Sequence, residues 1–158
     1  MRTIVSFNEG WLFTKQGKDE PVTLPHTWNA VDGQDGGDDY YRGACRYTKQ
    51  FPKPALNPGE EAGWNSRAQL YSGRLGQRGS LCHHEGGFST FRIKLPELKD
   101  ENTVEVRVDN SSNDRVYPQK ADFTFYGGLY RDVNLIIVPA PTLNWATVAP
   151  QASRSPPL

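Results

Sequence analysis

A chain of 158 residues is long enough to bury one proper core and no more. Its 18 basic side chains balance 18 acidic ones, so it carries no field that would draw nucleic acid or an anionic membrane, and a neutral partner is favoured. Fifteen glycines, 12 prolines and an aromatic content of 11%, with no helical periodicity of useful length, suit an all-β fold with many turns.

Taken in chain order, Ile4, Val5 and Phe7 with Trp11 and Phe13 supply the opening strands. Tyr41, Cys45, Tyr47 and Phe51 share one face of an extended segment and Arg42, Arg46, Thr48 and Gln50 the other, as a half-buried strand requires. Phe91, Ile93 and Leu95 alternate with Arg92 and Lys94, and Pro96 to Asn102 reads as a connecting turn. Val104, Val106 and Val108 then oppose Glu105, Arg107 and Asp109. On the last strand Val133, Leu135 and Ile137 face inward, while Ile136 and Val138 make the other face apolar as well, so that face calls for a cover. Short strands without intervening amphipathic helices predict two antiparallel sheets packed as a sandwich.

The apolar run at Val133–Val138 is too short to span a bilayer. Met1 and Arg2 lead straight into a strand pattern without the parts of a secretion signal, so a cytoplasmic location is expected. In that compartment Cys45 and Cys82 read as free thiols and the Asn110-Ser111-Ser112 sequon as idle.

Four segments carry a family likeness in a fixed order: FNEGWLF (Phe7–Phe13), LPHTWNAVDGQDGGDDYYRG (Leu24–Gly43), HHEGGFSTFRIKL (His83–Leu95) and ADFTFYGGLYRDVNLIIV (Ala121–Val138). Together they resemble the N-terminal sugar-binding domain of glycoside hydrolase family 2, in its bacterial β-galactosidase-like branch. The resemblance implies a jelly-roll β-sandwich of the galactose-binding-domain type over residues 1–138. It also implies a parent enzyme whose immunoglobulin-like and barrel domains this domain packs against, helping to shape the galactoside subsite. Retaining glycosidases hold two carboxyl groups about 5 Å apart across the glycosidic bond. The family carries that pair on its barrel, and nothing here matches those motifs, so no catalytic residue is assigned and the domain is expected to be non-catalytic. A stand-alone galactoside-binding module and a non-functional truncated gene product are the alternatives.

Two stretches depart from the family pattern. Residues 52–81 keep only Asn65-Ser66-Arg67-Ala68-Gln69-Leu70-Tyr71 of it. Gly59 to Trp64 reads as too short and too polar for the strand expected there, and Ser72 to Ser80 as a basic, Gly-rich run in place of a hairpin, a pattern that suggests a shift of frame or a mis-assembled sequence. Residues 139–158 read as a disordered tail.

Candidate contact residues are Asp39, in the loop Asp32–Asp39, and His84 and Glu85. Short acidic side chains on flexible glycines can turn toward a sugar hydroxyl or a cation, and the resemblance places His84 and Glu85 beside the sugar subsite. Solvated turns are the structural alternative for both. No metal is expected, because Cys82, His83 and His84 are successive residues of an extended chain and the Asp32–Asp39 spacing is not that of a calcium loop. No cofactor is expected either. Arg131-Asp132 reads as a turn lock, His26 as a hydrogen-bonded structural residue, and Phe123, Phe125, Tyr126 and Tyr130 as core, interdomain contact or a sugar-stacking platform.

Overall fold

The computed structural model describes residues 1–30, 41–66, 70–75, 80–85, 91–95, 98–111 and 126–141. Twelve strands run through them: β1 Thr3–Ser6, β2 Trp11–Lys15, β3 Lys18–Val22, β4 His26–Thr27, β5 Ala44–Pro52, β6 Glu60–Ser66, β7 Leu70–Leu75, β8 Ser80–Glu85, β9 Phe91–Lys94, β10 Glu101–Asp109, β11 Gly128–Leu129 and β12 Asn134–Pro139. Four form one sheet in the order β1-β12-β6-β9 and six form another in the order β3-β2-β5-β10-β7-β8. The short β11–β4 ribbon stands apart from both sheets.

Alternation writes most of this. Cys45, Tyr47 and Phe51 on β5 are buried, as are Val104, Val106 and Val108 on the neighbouring β10. Facing them across the sandwich are Trp64 on β6, Ile93 on β9 and Leu135 on β12, all members of the same apolar cluster. The centre is aromatic. Trp11 on β2 lies 6.0 Å from Trp64 of the opposing sheet and 6.5 Å from Tyr47, while Phe7 sits edge-on to both Trp11 and Phe51. Such inclined contacts set the electron-poor ring edge against the electron-rich face, which adds to the gain from burial.

Glu60–Ser66 corrects the sequence reading. It is a strand, pairing with β12 from Pro139↔Glu60 to Asn134↔Asn65 and with β9 from Gly63↔Lys94 to Ser66↔Phe91. Its polarity belongs to the outward face. Ala62 and Trp64 point into the core, whereas Glu61 projects outward and pairs with Lys94 of β9. Ladder pairing continues through β7 and β8, so the hairpin expected to be lost is occupied by two strands with an irregular register near Gly73 and Arg74. A smaller correction concerns Glu101 and Asn102, which open β10 instead of closing a turn; the Asn102 side chain holds the preceding bend by bonding both the N–H and the C=O of Lys99.

Both faces of β12 are buried, Ile136 fully and Val138 nearly so. Strand β1, by contrast, leaves Ile4 56% and Val5 44% exposed at the rim of its sheet. The rim of the larger sheet is built differently: β3 reads Lys18-Asp19-Glu20-Pro21-Val22, with the charges and proline that discourage edge pairing.

One lysine occupies the inward row of β5 without any signal from periodicity. Lys49 stacks its ammonium 4.0 Å from the Phe7 ring and donates to the carbonyl oxygens of Phe7 and Glu9. Partial burial lowers its pKa, with Glu9 pulling the other way. The side chain therefore cross-links β5 to the bend between β1 and β2. Asn8 in the same bend donates to Asp132 and accepts from the Val133 N–H, so the acid of Arg131-Asp132 does help to lock a turn, with Asn8 as its partner.

Candidate functional site

One end of the larger sheet gathers the residues of interest. Register places Glu85 opposite Leu70, Leu70 opposite Asp109, and Asp109 opposite Ala44, so β8, β7, β10 and β5 all start or stop on one line. Three strand spacings, roughly 14 Å, separate the backbone at Glu85 from that at Ala44. His84 lies one row further in, in line with Tyr71, Val108 and Cys45. Asp39 lies outside the described residues, but residues 30 and 41, which flank its loop, emerge at this same end. Phe123 and Phe125 also lie outside the described residues; Tyr126 is 49% exposed and Tyr130 half-buried.

What fixes the loop stems is a polar clasp. The Tyr41 carbonyl accepts from Asn29 Nδ2 at 3.1 Å, from Asn110 Nδ2 at 3.2 Å and from Trp28 Nε1 at 3.4 Å. Asn29 Oδ1 accepts from Asn110 Nδ2 at 3.1 Å and from the Gly127 N–H at 2.8 Å. Asn110 Oδ1 accepts from the Gly43 N–H at 2.8 Å, while the Asn110 N–H returns a bond to the Gly43 carbonyl. Thr27 Oγ1 and the Trp28 N–H both donate to the Gly127 carbonyl. Four stretches of chain, at residues 27–29, 41–43, 110 and 127, are thereby bound into one unit. Asn29 and Asn110 are buried, and burial is affordable because their amide groups are so fully paired. This also explains the sequon: Asn110 is a core residue engaged in the clasp, whichever compartment the chain occupies.

The double glycine in FYGGLYRD belongs to the same assembly. A Cβ on Gly127 would stand 2.2 Å from Cζ2 and 2.4 Å from Cε2 of Trp28, a distance no side chain can occupy. Gly128 adopts φ +134°, and a Cβ there would meet the His26 carbonyl at 2.4 Å and the Tyr47 hydroxyl at 2.9 Å. Both glycines are required for close approach, one to a ring and one to the β4 backbone.

Beneath the clasp, His26 Nδ1 lies 2.8 Å from the Tyr47 hydroxyl, and its ring packs 4.7 Å from that of Phe13. Burial lowers the His26 pKa, with Glu20 opposing the shift. Burial likewise drives the Tyr47 phenol far above its ordinary value, with the nearby Leu129 backbone opposing the shift. Cys45 is a buried free thiol whose pKa burial pushes up to about 11, which makes it inert at neutral pH. Among the described residues no group of three His, Cys, Asp or Glu could hold a metal ion.

The clasp was not foreseen in the sequence. Its residues are asparagines, a threonine and glycines in separate loops, and the one available signal was the recurrence of Thr27, Trp28, Asn29 and Gly127-Gly128 inside the family-like segments.

Two antiparallel sheets closed over an aromatic core, with loops gathered at one end, define a jelly-roll β-sandwich of the galactose-binding-domain type. No protein-family model matches the chain. A β-glucuronidase of Bacteroides fragilis is 34% identical over 148 residues, covering 86% of this chain and 21% of that enzyme. A β-galactosidase of Thermoanaerobacterium thermosulfurigenes is 26% identical over 162 residues, covering 85% and 21% respectively. Among solved structures, an FMN-binding β-glucuronidase from Faecalibacterium prausnitzii superposes with a TM-score of 0.81 at 42% identity, covering 88% of this chain and 23% of that one. A β-galactosidase-like structure from Bacteroides fragilis follows at 0.78 and 30%, covering 87% and 23%. The homologues are enzymes of glycoside hydrolase family 2, matched here over their N-terminal jelly-roll portion, and the chain spans about a fifth of the length of these relatives.

Proposed function

We propose that this domain is a non-catalytic wall of a glycoside hydrolase, packing on immunoglobulin-like and barrel domains and shaping the sugar subsite that those domains complete. The observation that carries this reading is the register line that brings the end of β8, with His84 and Glu85, to the same edge as the stem of the Asp39 loop. Asn29 and Asn110 fix the stems at residues 29, 41 and 110, and a fixed stem favours recognition of a neutral sugar by the chain it carries. Asp39, His84 and Glu85 are the residues proposed to touch it, through hydrogen bonds to ring hydroxyls. A galactoside is the substrate class proposed, with a glucuronide as the competing choice because curated relatives carry both names. The proposed location is the cytoplasm, and neither nucleic acid nor a membrane is proposed as a partner.

Assays of the purified chain on chromogenic β-galactoside and β-glucuronide should give no turnover. Hydrolysis above the buffer rate, or a glycosyl adduct on any side chain, would overturn the non-catalytic reading. Titration of galactose and glucuronate followed by amide chemical shifts separates a wall from a stand-alone module. Shifts at Glu85 and Tyr126 that saturate at millimolar sugar or below would make this a binding module in its own right.

A further inference from the structure

The hydrogen bonds around His26 have only one consistent arrangement, and it depends on that residue being neutral. Tyr47 is fully buried on β5, and among the described residues its hydroxyl has one hydrogen-bond partner, His26. Its single O–H therefore has to find an acceptor, and His26 Nδ1 is in place at 2.8 Å. That assigns the tautomer: Nδ1 accepts and Nε2 carries the proton. A second proton on the ring turns Nδ1 from an acceptor into a donor aimed at the Tyr47 oxygen. The Tyr47 O–H then loses its acceptor inside the core, where an unpaired hydroxyl is strongly disfavoured.

The pair sits where this matters. His26 and Leu129 are register partners in the β4–β11 ribbon, and Gly128 of that ribbon lies against both the His26 carbonyl and the Tyr47 hydroxyl. Each strand of the ribbon leads directly into the clasp, β4 through Thr27–Asn29 and β11 through Gly127. Among the described residues, the charged and titratable groups around the imidazole are Glu20 on β3 and Tyr47 on β5, with Cys45 next to Tyr47; β2 offers the Phe13 ring and β11 the Leu129 backbone. Among these groups Glu20 favours the imidazolium, and it does not outweigh burial.

We infer that His26 and Tyr47 form an acid-sensitive catch that holds the β4–β11 ribbon, and with it the loop stems, against the sandwich at neutral pH and releases them on protonation. The sign follows from linkage. Protonation is easier in the released state than in the closed one, so the closed state loses ground as pH falls below the free imidazole value near 6.5. Between that value and the lower pKa of the closed state, the open fraction rises by up to tenfold per pH unit.

Amide hydrogen exchange on the 158-residue chain, corrected for intrinsic rates, tests this between pH 7.5 and 5. Protection at Leu129 and Gly127 should fall by up to tenfold per unit below pH 6.5, while Val106 in the core stays level. In His26→Gln, whose side chain can accept from Tyr47 but does not titrate, the fall should vanish with protection at pH 7.5 retained. A flat wild-type profile at Leu129 overturns the inference, as does absence of protection there at pH 7.5. An unchanged slope in His26→Gln assigns the titration to another group and also overturns it. A parallel fall at Val106 does the same, because the whole sandwich would then be opening.

Discussion

The middle of the sandwich and its loop end are held together by different physics. Between the sheets, Phe51, Ile93, Leu135 and the valines of β10 are joined by non-directional packing, in which each side chain has many partners and none is unique. At the loop end, Asn29, Asn110, Gly127 and Gly128 are joined by aimed hydrogen bonds and contacts to backbone, in which each atom has a specific counterpart. A packed region loses stability in proportion to what is removed. A clasp loses its geometry when one member goes, even where the global fold survives.

The largest test of this contrast is Trp64→Ala, which removes the one ring bridging β6 to Trp11. A loss of about 3–5 kcal/mol in urea unfolding is expected from cavity formation. A change below about 1 kcal/mol would mean that Glu60–Ser66 is not the core strand described above. Gly127→Ala comes next, since a Cβ 2.2 Å from the Trp28 ring has to displace it. Overpacking of this kind costs about 1–3 kcal/mol, and a shifted Trp28 fluorescence maximum would report the displaced ring. Asn110→Ala strips the Gly43 N–H of its acceptor and the Tyr41 carbonyl of a donor, so about 2 kcal/mol is expected, with exchange protection lost at Gly43 before the core. At the small end, Arg46→Ala breaks an exposed 3.7 Å contact with Glu105 and should move the unfolding midpoint by less than about 0.5 kcal/mol. If Arg46→Ala cost as much as Asn110→Ala, the distinction between aimed and incidental polar contacts would fail.

The same contrast explains what could be read in the sequence. Alternation revealed β5, β9, β10 and β12, because a strand with one wet face writes its burial into every second residue. It should also have revealed β6, where Ala62 and Trp64 alternate with Glu61, Gly63 and Asn65. Its outward residues make the segment polar on average, which masks the alternation. Lys49 escaped for the opposite reason, as a charge in an inward row whose partners are carbonyls of a distant bend. The clasp is illegible to any periodic rule, since its members lie in four separate loops and meet only after the sheets have formed. His26 stands out in the sequence as a hydrogen-bonding residue, but its partner Tyr47 lies 21 positions away and looks from sequence like an ordinary core aromatic.

The clasp ties residues 29, 41, 110 and 127 to one another, so the roots of the connections that run between them are held by contacts among the roots themselves. Lengthening such a connection is thermodynamically cheap, about 0.6 kcal/mol per doubling. Segments grafted between residues 30 and 41, or between 111 and 126, would therefore inherit a preformed mount, which makes this end of the domain a natural display platform for engineered recognition loops.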